Sequence, residues 1–501
     1  MVRQDIIRLS KQTLVYGFGY VTARMINFLL LPFYSHHIQP REYGIISLVY
    51  AFIAFLNIIY HYGLESAFLR FFSRAEIPRP DMGPAAAGEV RAGRGADREG
   101  GITKKDVFST VFISLIGTSL LFSFLIWSFA PGLSEALLKT AAYARIVRMT
   151  AVILLLDALF LIPLHYLRIR NKAGIFTSVT LVNVIINVGL NIYLIRFRGM
   201  GIDGVFISNI AASGFNFLVL IPVVVRNWNG RFSGSLWKKL LLFGLPFIPS
   251  GLSSMIIELS DRYMLEWFEG LRTVGLYSAG HKLGIFMMLV VMAFRFAWQP
   301  FFLQKQDDPD ARPLFAVILT YFVFAMSLVF LLISFFIKEI VSLPVMGVTL
   351  IGADYWSGIV VVPYILAAYV FNGIYINFHP AIFYSGRTWV ISVVVGIAAV
   401  INVTANLILI PRVGMTGAGI SSLAAYVFMA VCTYVIVRKW MPVPYEWKKL
   451  LLMFVLTLAA FAVFLAFDIR LPAGKALIVL GYAVAVLPFI YPRGRMPKNA
   501  A

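Results

Sequence analysis

The chain has 501 residues, 60% of them hydrophobic and only 13% charged, where a soluble domain carries about a quarter charged residues. Apolar runs near 20 residues recur from end to end, which excludes a soluble enzyme and implies an all-α polytopic membrane protein. The net charge of +20 would invite nucleic acid in a soluble chain, but here loop charge sets orientation, and no nucleic-acid partner is expected.

Fourteen spans are predicted in chain order, at 12–33, 44–64, 107–130, 147–167, 174–195, 204–225, 240–260, 273–298, 313–337, 358–378, 389–410, 416–437, 450–467 and 475–491. With the N-terminus inside, the cytoplasmic segments hold 28 Lys and Arg and the outer loops hold 10. The long loop 65–106 supplies eight of the 28, so the bias survives its removal. The expectation is a multi-pass protein of the cell (inner) membrane with both termini cytoplasmic. The first run lacks an A-x-A cleavage site and reads as an uncleaved span. Segment 75–105 is rich in Gly, Ala, Pro and Arg and reads as a flexible cytoplasmic loop. Cys432, in span 12, is the only cysteine, so no intrachain disulfide is available.

The stretch 187–204, "NVGLNIYLIRFRGMGIDG", lies on 402–419, "NVTANLILIPRVGMTGAG", without a gap and with 8 identities in 18 positions. A weaker match sets "REYGIISLVYAF" at 41–52 on "RTVGLYSAGHKL" at 272–283. Spans 5–6 thus correspond to 11–12, and span 2 to span 8. Six spans separate the partners, an even number, so the two copies share one orientation: a parallel repeat about an axis along the membrane normal. The implied architecture is two six-helix lobes around a central cavity. The N-terminal lobe is 1–225 (spans 1–6), the C-terminal lobe 226–437 (spans 7–12), and 438–501 adds spans 13–14 and a tail.

Two motifs mislead. "GMGIDG" at 199–204 spells G-x-G-x-x-G, but a dinucleotide site needs it between a strand and a helix. Here it joins two spans, so tight-turn glycine is the reading. "NVT" at 402–404 spells a glycosylation sequon inside span 11. There is no G-x-x-x-x-G-K-[ST], no H-E-x-x-H and no Cys/His cluster. No catalytic residue, metal or cofactor is therefore expected. Uphill movement would draw on a proton or sodium gradient.

Polar groups inside the spans carry the functional signal. Tyr16, Tyr20, Arg24 and Asn27 fall on one face of span 1, and Asn57, His61 and Glu65 repeat the pattern on span 2. Span 8 carries His281, Lys282 and Arg295. His281 and Arg295 are 14 residues apart and share a face. Arg24 and Lys282 each lie nine residues from the outer end of their span, about 13 Å deep at 1.5 Å per residue. Ionisable groups at such depth default to function. Guanidinium and ammonium groups lining a cavity suit an anionic head group such as a phosphate.

The competing reading is intramembrane salt bridges, Asp157 with Arg24 and Glu258 or Asp261 with Arg262. Asp157 also qualifies as a proton or sodium site. His61, His165, His281 and His379 are more often polar helix contacts than proton carriers, and Asn183, Asn187 and Asn191 read as interhelical hydrogen bonding. Pro246 and Pro249 mark span 7 as kinked. The candidate substrate-binding set is Arg24, Lys282, Arg295, Tyr20, Asn27 and His281. The candidate ion, proton or pairing sites are Asp157, His61 and Glu258.

Three stretches, "TARMINFLLLPFYSHHIQPREYGIISLVYAFIAFLNIIYHYGLESAFLRFFS", "NLILIPRVGMTGAGISS" and "VGLYSAGHKLGIFMMLVVMAFRFAWQPFF", resemble polysaccharide-biosynthesis flippases. These belong to the multidrug/oligosaccharidyl-lipid/polysaccharide (MOP) exporter superfamily, which includes the MATE transporters. The resemblance implies a transporter rather than an enzyme. Its cargo would be a polyprenyl-diphosphate-linked oligosaccharide, moved from the cytoplasmic to the outer leaflet by alternating access. It also implies membrane lipids, and a polysaccharide polymerase or glycosyltransferases, as partners. Related lipid II flippases carry arginine in the first span and basic residues in the eighth, places that Arg24, Lys282 and Arg295 match. The long loop 75–105 and the scarcity of acids around the cationic stripe depart from the wider pattern. A drug/cation antiporter of the same superfamily and a lipid II-type precursor flippase are the alternatives.

Overall fold

The computed structural model describes residues 22, 25–26, 28–75, 102–306, 308, 310–345, 347–467 and 469–490. Tyr16, Tyr20, Arg24 and Asn27, most of span 1 and nearly all of the loop 75–105 lie outside these residues. The helices in order are α1 (Leu30–His37), α2 (Pro40–His61), α3 (Leu64–Arg74), α4 (Lys104–Ser128), α5 (Ala130–Leu138), α6 (Ala144–Ile169), α7 (Ala173–Ile192), α8 (Gly201–Asn227), α9 (Gly234–Gly244), α10 (Phe247–Glu269), α11 (Leu271–Gln304), α12 (Ala311–Ser342), α13 (Val362–Asn377), α14 (His379–Tyr384), α15 (Trp389–Val413), α16 (Met415–Val437), α17 (Trp447–Ala466) and α18 (Pro472–Ile490). A two-residue strand pair, Pro344–Val345 with Val348–Thr349, follows the C-terminal end of α12.

Among the described residues, twelve helices are long and apolar enough to cross a membrane, and thirteen if α9 and α10 form one bent span. These thirteen coincide with predicted spans 2–14. The α9–α10 break is a 40° bend with Pro246 at the corner, where a missing N–H and a ring that crowds the preceding turn stop the helix.

Two compact units emerge from packing. One contains Val49–Leu252 and the other Asn27–Leu48 with Ser253–Ala501. The units change at Leu252, whereas the repeat puts the lobe boundary at 225/226. The bend explains the difference: α9 packs on α3 and α4, so the start of span 7 stays with the helices before it. Helix α2 is likewise shared, its first turns belonging to the second unit.

In the first unit a capping box starts α4, with Asp106 N–H donating to Thr103 Oγ1 at 3.2 Å and Thr103 N–H donating to Asp106 Oδ2 at 2.9 Å. Helix α3 is amphipathic: Leu64, Ala67, Phe68 and Phe72 are buried in a core shared with Phe108, Val111, Leu236 and Leu240. The helix therefore lies flat on its neighbours rather than crossing alone.

The repeated residues do repeated work. Asn191 donates to Asn187 Oδ1 at 3.2 Å, and Asn406 donates to Asn402 Oδ1 at 3.1 Å. Gly199 and Gly414 both take positive φ, 63° and 61°, so the glycine-rich motif is a turn. Asn402 is wholly buried, which rules out the sequon as a modification site. Asn183 donates to Ala212 O on α8 at 2.7 Å, the interhelical bond expected of it.

In the second unit the other repeated glycines meet. A Cβ added to Gly44 would lie 1.9 Å from Leu271 O, and one added to Gly275 would lie 1.8 Å from Pro40 O. Each glycine faces the backbone four residues before its counterpart, the reciprocal contact a two-fold repeat produces. Helices α2 and α11 therefore touch backbone to backbone, an approach only small residues permit in a membrane. Replacing Gly275 with Ala should destabilise the protein by at least about 1–3 kcal/mol, the usual cost of overpacking. Gly481→Ala, with nothing within 4 Å of the added atom, should be neutral. Thermal unfolding of both variants in detergent, followed by size-exclusion, checks this, and equal melting would contradict it.

Candidate functional site

The three polar residues of α11 go to three different surroundings. His281 is 7% exposed, with ring centroids 5.8 Å from Tyr277 and 6.3 Å from Tyr369. Lys282, half-buried, places its ammonium 5.5 Å from the Tyr43 ring and 5.9 Å from the Tyr34 ring. Arg295 is exposed and opens onto a cavity. Adjacent helical positions point about 100° apart, so His281 and Lys282 cannot serve one site by the same face. The structure does not bring the three together.

The cavity that Arg295 enters lies wholly within the second unit and has a volume of about 320 Å³. Helix α11 lines it with Arg295, Trp298, Gln299 and Phe302, at i, i+3, i+4 and i+7, one helical face. Helices α13 and α14 line it with Asn372, Tyr375, His379 and Phe383, which keep to one side through the Phe378 junction. Glu258 of α10 and Tyr426 of α16 complete the polar wall, with Ile391 and Val395 of α15 as its apolar floor. The cavity is thus mixed in sign, with a guanidinium and a carboxylate, rather than purely cationic. Arg295 has no carboxylate partner in an ion pair among the described residues.

Three buried polar atoms on this wall have no hydrogen-bond partner among the described residues: Trp298 Nε1, Tyr375 OH and His379 Nε2. Buried polar groups are normally paired; these three lie behind the cavity's surface, and the groups that reach it are Arg295, Gln299, Glu258, Asn372 and Tyr426. Of the wall residues, the sequence pattern points to Arg295 and Glu258, with His379 as an ordinary polar contact. The signal for the rest was the i, i+3, i+4, i+7 pattern of Arg, Trp, Gln and Phe on α11, which reads equally as a packing stripe.

Beside the cavity sits a fully buried ion pair. Arg262 Nη1 lies 3.0 Å from Asp261 Oδ1 and donates to Glu258 O at 2.7 Å. Tyr277 OH donates to the other Asp261 oxygen. The pairing of Asp261 with Arg262 explains how both charges reside in the spans. In the first unit, Asp157 has no cationic partner among the described residues. Ser213 donates to it at 2.7 Å, and Asn209 on the same helix donates to Tyr50 OH at 3.2 Å. His61 Nε2 is buried without a partner among the described residues, and His165 lies 4.0 Å from Glu65.

Removing one member of a buried pair leaves the other charge uncompensated, at a cost of about 3–5 kcal/mol. Asp261→Ala should lower stability by that order, and the double change Asp261→Leu with Arg262→Met should recover most of the loss. Melting curves of the two variants in detergent measure it; equal losses would mean that the pair is not what the cluster depends on.

A family model described as "Polysaccharide biosynthesis protein" matches residues 9–306. No curated protein matches the chain in sequence. Among solved structures, the lipid II flippase MurJ in an inward closed conformation is similar over 95% of this chain and 99% of its own, with TM-score 0.70 and 14% identity. An inward-facing multidrug resistance MATE family transporter of the MOP superfamily gives TM-score 0.63 and 12% identity over 87% of this chain and 97% of its own. The MATE transporter VcmN of Vibrio cholerae, in a bent form, gives 0.55 and 15% over 86% and 96%. At these identities the structures speak for the fold. The family match covers more than half of the chain, and the protein is a multi-pass membrane member of the polysaccharide biosynthesis family, with a fold shared with MurJ and MATE transporters.

Proposed function

We propose that the protein transports a polyprenyl-diphosphate-linked oligosaccharide from the cytoplasmic to the outer leaflet, by alternating access between its two lobes. The observation that carries this reading is Arg295. A guanidinium within an apolar span is costly, yet this one has no acidic partner among the described residues and opens onto a cavity. A diphosphate offers it paired, charge-assisted hydrogen bonds. Arg24 and Lys282 join the proposal as further cations along the route. The family, whose description is polysaccharide biosynthesis, supplies the class of cargo, and the similarity to MurJ supports a lipid-linked one. A lipid II-type precursor shares the same diphosphate chemistry. The loop charges support cytoplasmic termini, and polymerases or glycosyltransferases are the natural partners. Transport of this kind makes and breaks no covalent bond.

One observation favours a second role. Asp157 sits in a span with Ser213 as its donor and no cation among the described residues, an arrangement suited to binding a proton or sodium ion. We assign it to gradient coupling. In a drug/cation antiporter the same carboxylate would attract the cargo itself.

The test uses proteoliposomes loaded with labelled polyprenyl-diphosphate oligosaccharide, following accessibility of the head group from the opposite face. Wild type should transfer it. Arg295→Ala should be slowed about 10- to 100-fold, the worth of roughly 1.5–3 kcal/mol for a hydrogen bond to a charged group. Arg24→Ala is run beside it. Transfer unaffected by Arg295→Ala would remove that residue from the route. No transfer by folded wild type across several glycan lipids, with drug export lost in Asp157→Asn, would replace the flippase by the antiporter.

A further inference from the structure

We infer that the cavity of the second unit is a sugar subsite that seats one pyranose ring of the glycan. This rests on the proposed cargo, but it assigns to the cavity a part that the cationic residues do not play. A phosphate group needs positive charge and N–H donors. This wall instead offers one guanidinium, Arg295, one carboxylate, Glu258, and neutral amides and rings between them.

The deeper wall has the two kinds of surface that a sugar ring has. A pyranose presents apolar C–H faces and an edge of hydroxyls, each both donor and acceptor. The half-buried ring of Tyr426 provides an apolar face with a polar handle at one end. Gln299 and Asn372 each carry an acceptor oxygen and two donors in one plane, a match for neighbouring hydroxyls. Trp298 and Tyr375, 3% and 5% exposed, stand behind these groups and back the wall.

The volume of about 320 Å³ is at the small end of ligand cavities and gives room for one ring of the glycan. A lipid tail would leave the polar wall unpaired, whereas a hydroxylated ring can pair with Arg295, Glu258 and the two amides alike. No group of three or more metal-ligating side chains exists among the described residues. In the proposed orientation the cavity lies at the cytoplasmic end, where α11 finishes and α15 begins, the side from which the cargo loads.

The experiment is saturation-transfer-difference NMR on the full chain in detergent, with a panel of free hexoses, N-acetylhexosamines and hexuronic acids. Wild type should transfer saturation to the ring protons of at least one sugar. Gln299→Ala and Asn372→Ala should weaken that binding about tenfold or more. Trp267→Ala, which removes an aromatic ring 67% exposed and outside the cavity, should not change it. Folding of each variant is checked by thermal melting, and Gln299 is exposed, so that variant keeps its core. Absence of transfer to every sugar of the panel by folded wild type overturns the subsite, as does transfer unchanged in both cavity variants. The two proposals separate cleanly. Sugar binding without lipid transfer in proteoliposomes keeps the subsite and removes the flippase, and lipid transfer without sugar binding does the reverse.

Discussion

The second unit depends on one contact, the crossing of α2 and α11 at Gly44 and Gly275. Any side chain on either glycine would collide with the carbonyl of Leu271 or Pro40, at 1.9 or 1.8 Å, so no sequence with a Cβ there reproduces this packing. Membrane helices gain little from hiding apolar surface from lipid, and close backbone approach is one of the few ways they hold together. The crossing brings Tyr34 and Tyr43 against Lys282, and the same helix α11 then continues toward the cavity. Farther along, Gly280 meets Gly358 in the same manner, with its added Cβ 2.0 Å from Gly358 O. Helix α11 is thus pinned on two sides, and this holds Arg295 where it is.

Charge in the membrane is handled in this protein by three means. Asp261 and Arg262 neutralise each other beneath the surface, with Tyr277 as an added donor. Lys282 faces the rings of two buried tyrosines, where the ring quadrupole offsets part of its desolvation. Lys475 on α18 reaches Glu339 on α12 at 2.6 Å, which ties the terminal helices to the second unit. Against these, Arg295 and Asp157 stand out as ionisable groups that form no ion pair among the described residues. The contrast, rather than the mere presence of charge in a span, makes them functional candidates.

Much of the architecture was legible without coordinates. Thirteen predicted spans coincide with helices because twenty apolar residues in a row have few other options. Residue pairs chosen from the repeat, Asn191 with Asn406 and Gly199 with Gly414, take matching local roles. The bend of span 7 followed from Pro246, and the pairing of Arg262 with an adjacent carboxylate from their nearness in sequence. The candidate site was legible in part. Arg295 and Glu258 reach the cavity, while His281 and Lys282 face other helices. Gln299, Asn372 and Tyr375 were passed over, because an aromatic or amide on a membrane helix looks the same whether it packs or lines a hole.

By itself, then, the sequence determined the length and order of the helices, their turns and the repeat, since each depends on local periodicity or on residues whose backbone limits are intrinsic. Only the tertiary structure decided which face of each helix meets a neighbour and which meets a cavity. Three polar residues on one helix had identical claims to a ligand. Their different surroundings come from tyrosines, glycines and carboxylates brought in by helices distant in the chain, and no local pattern encodes that meeting.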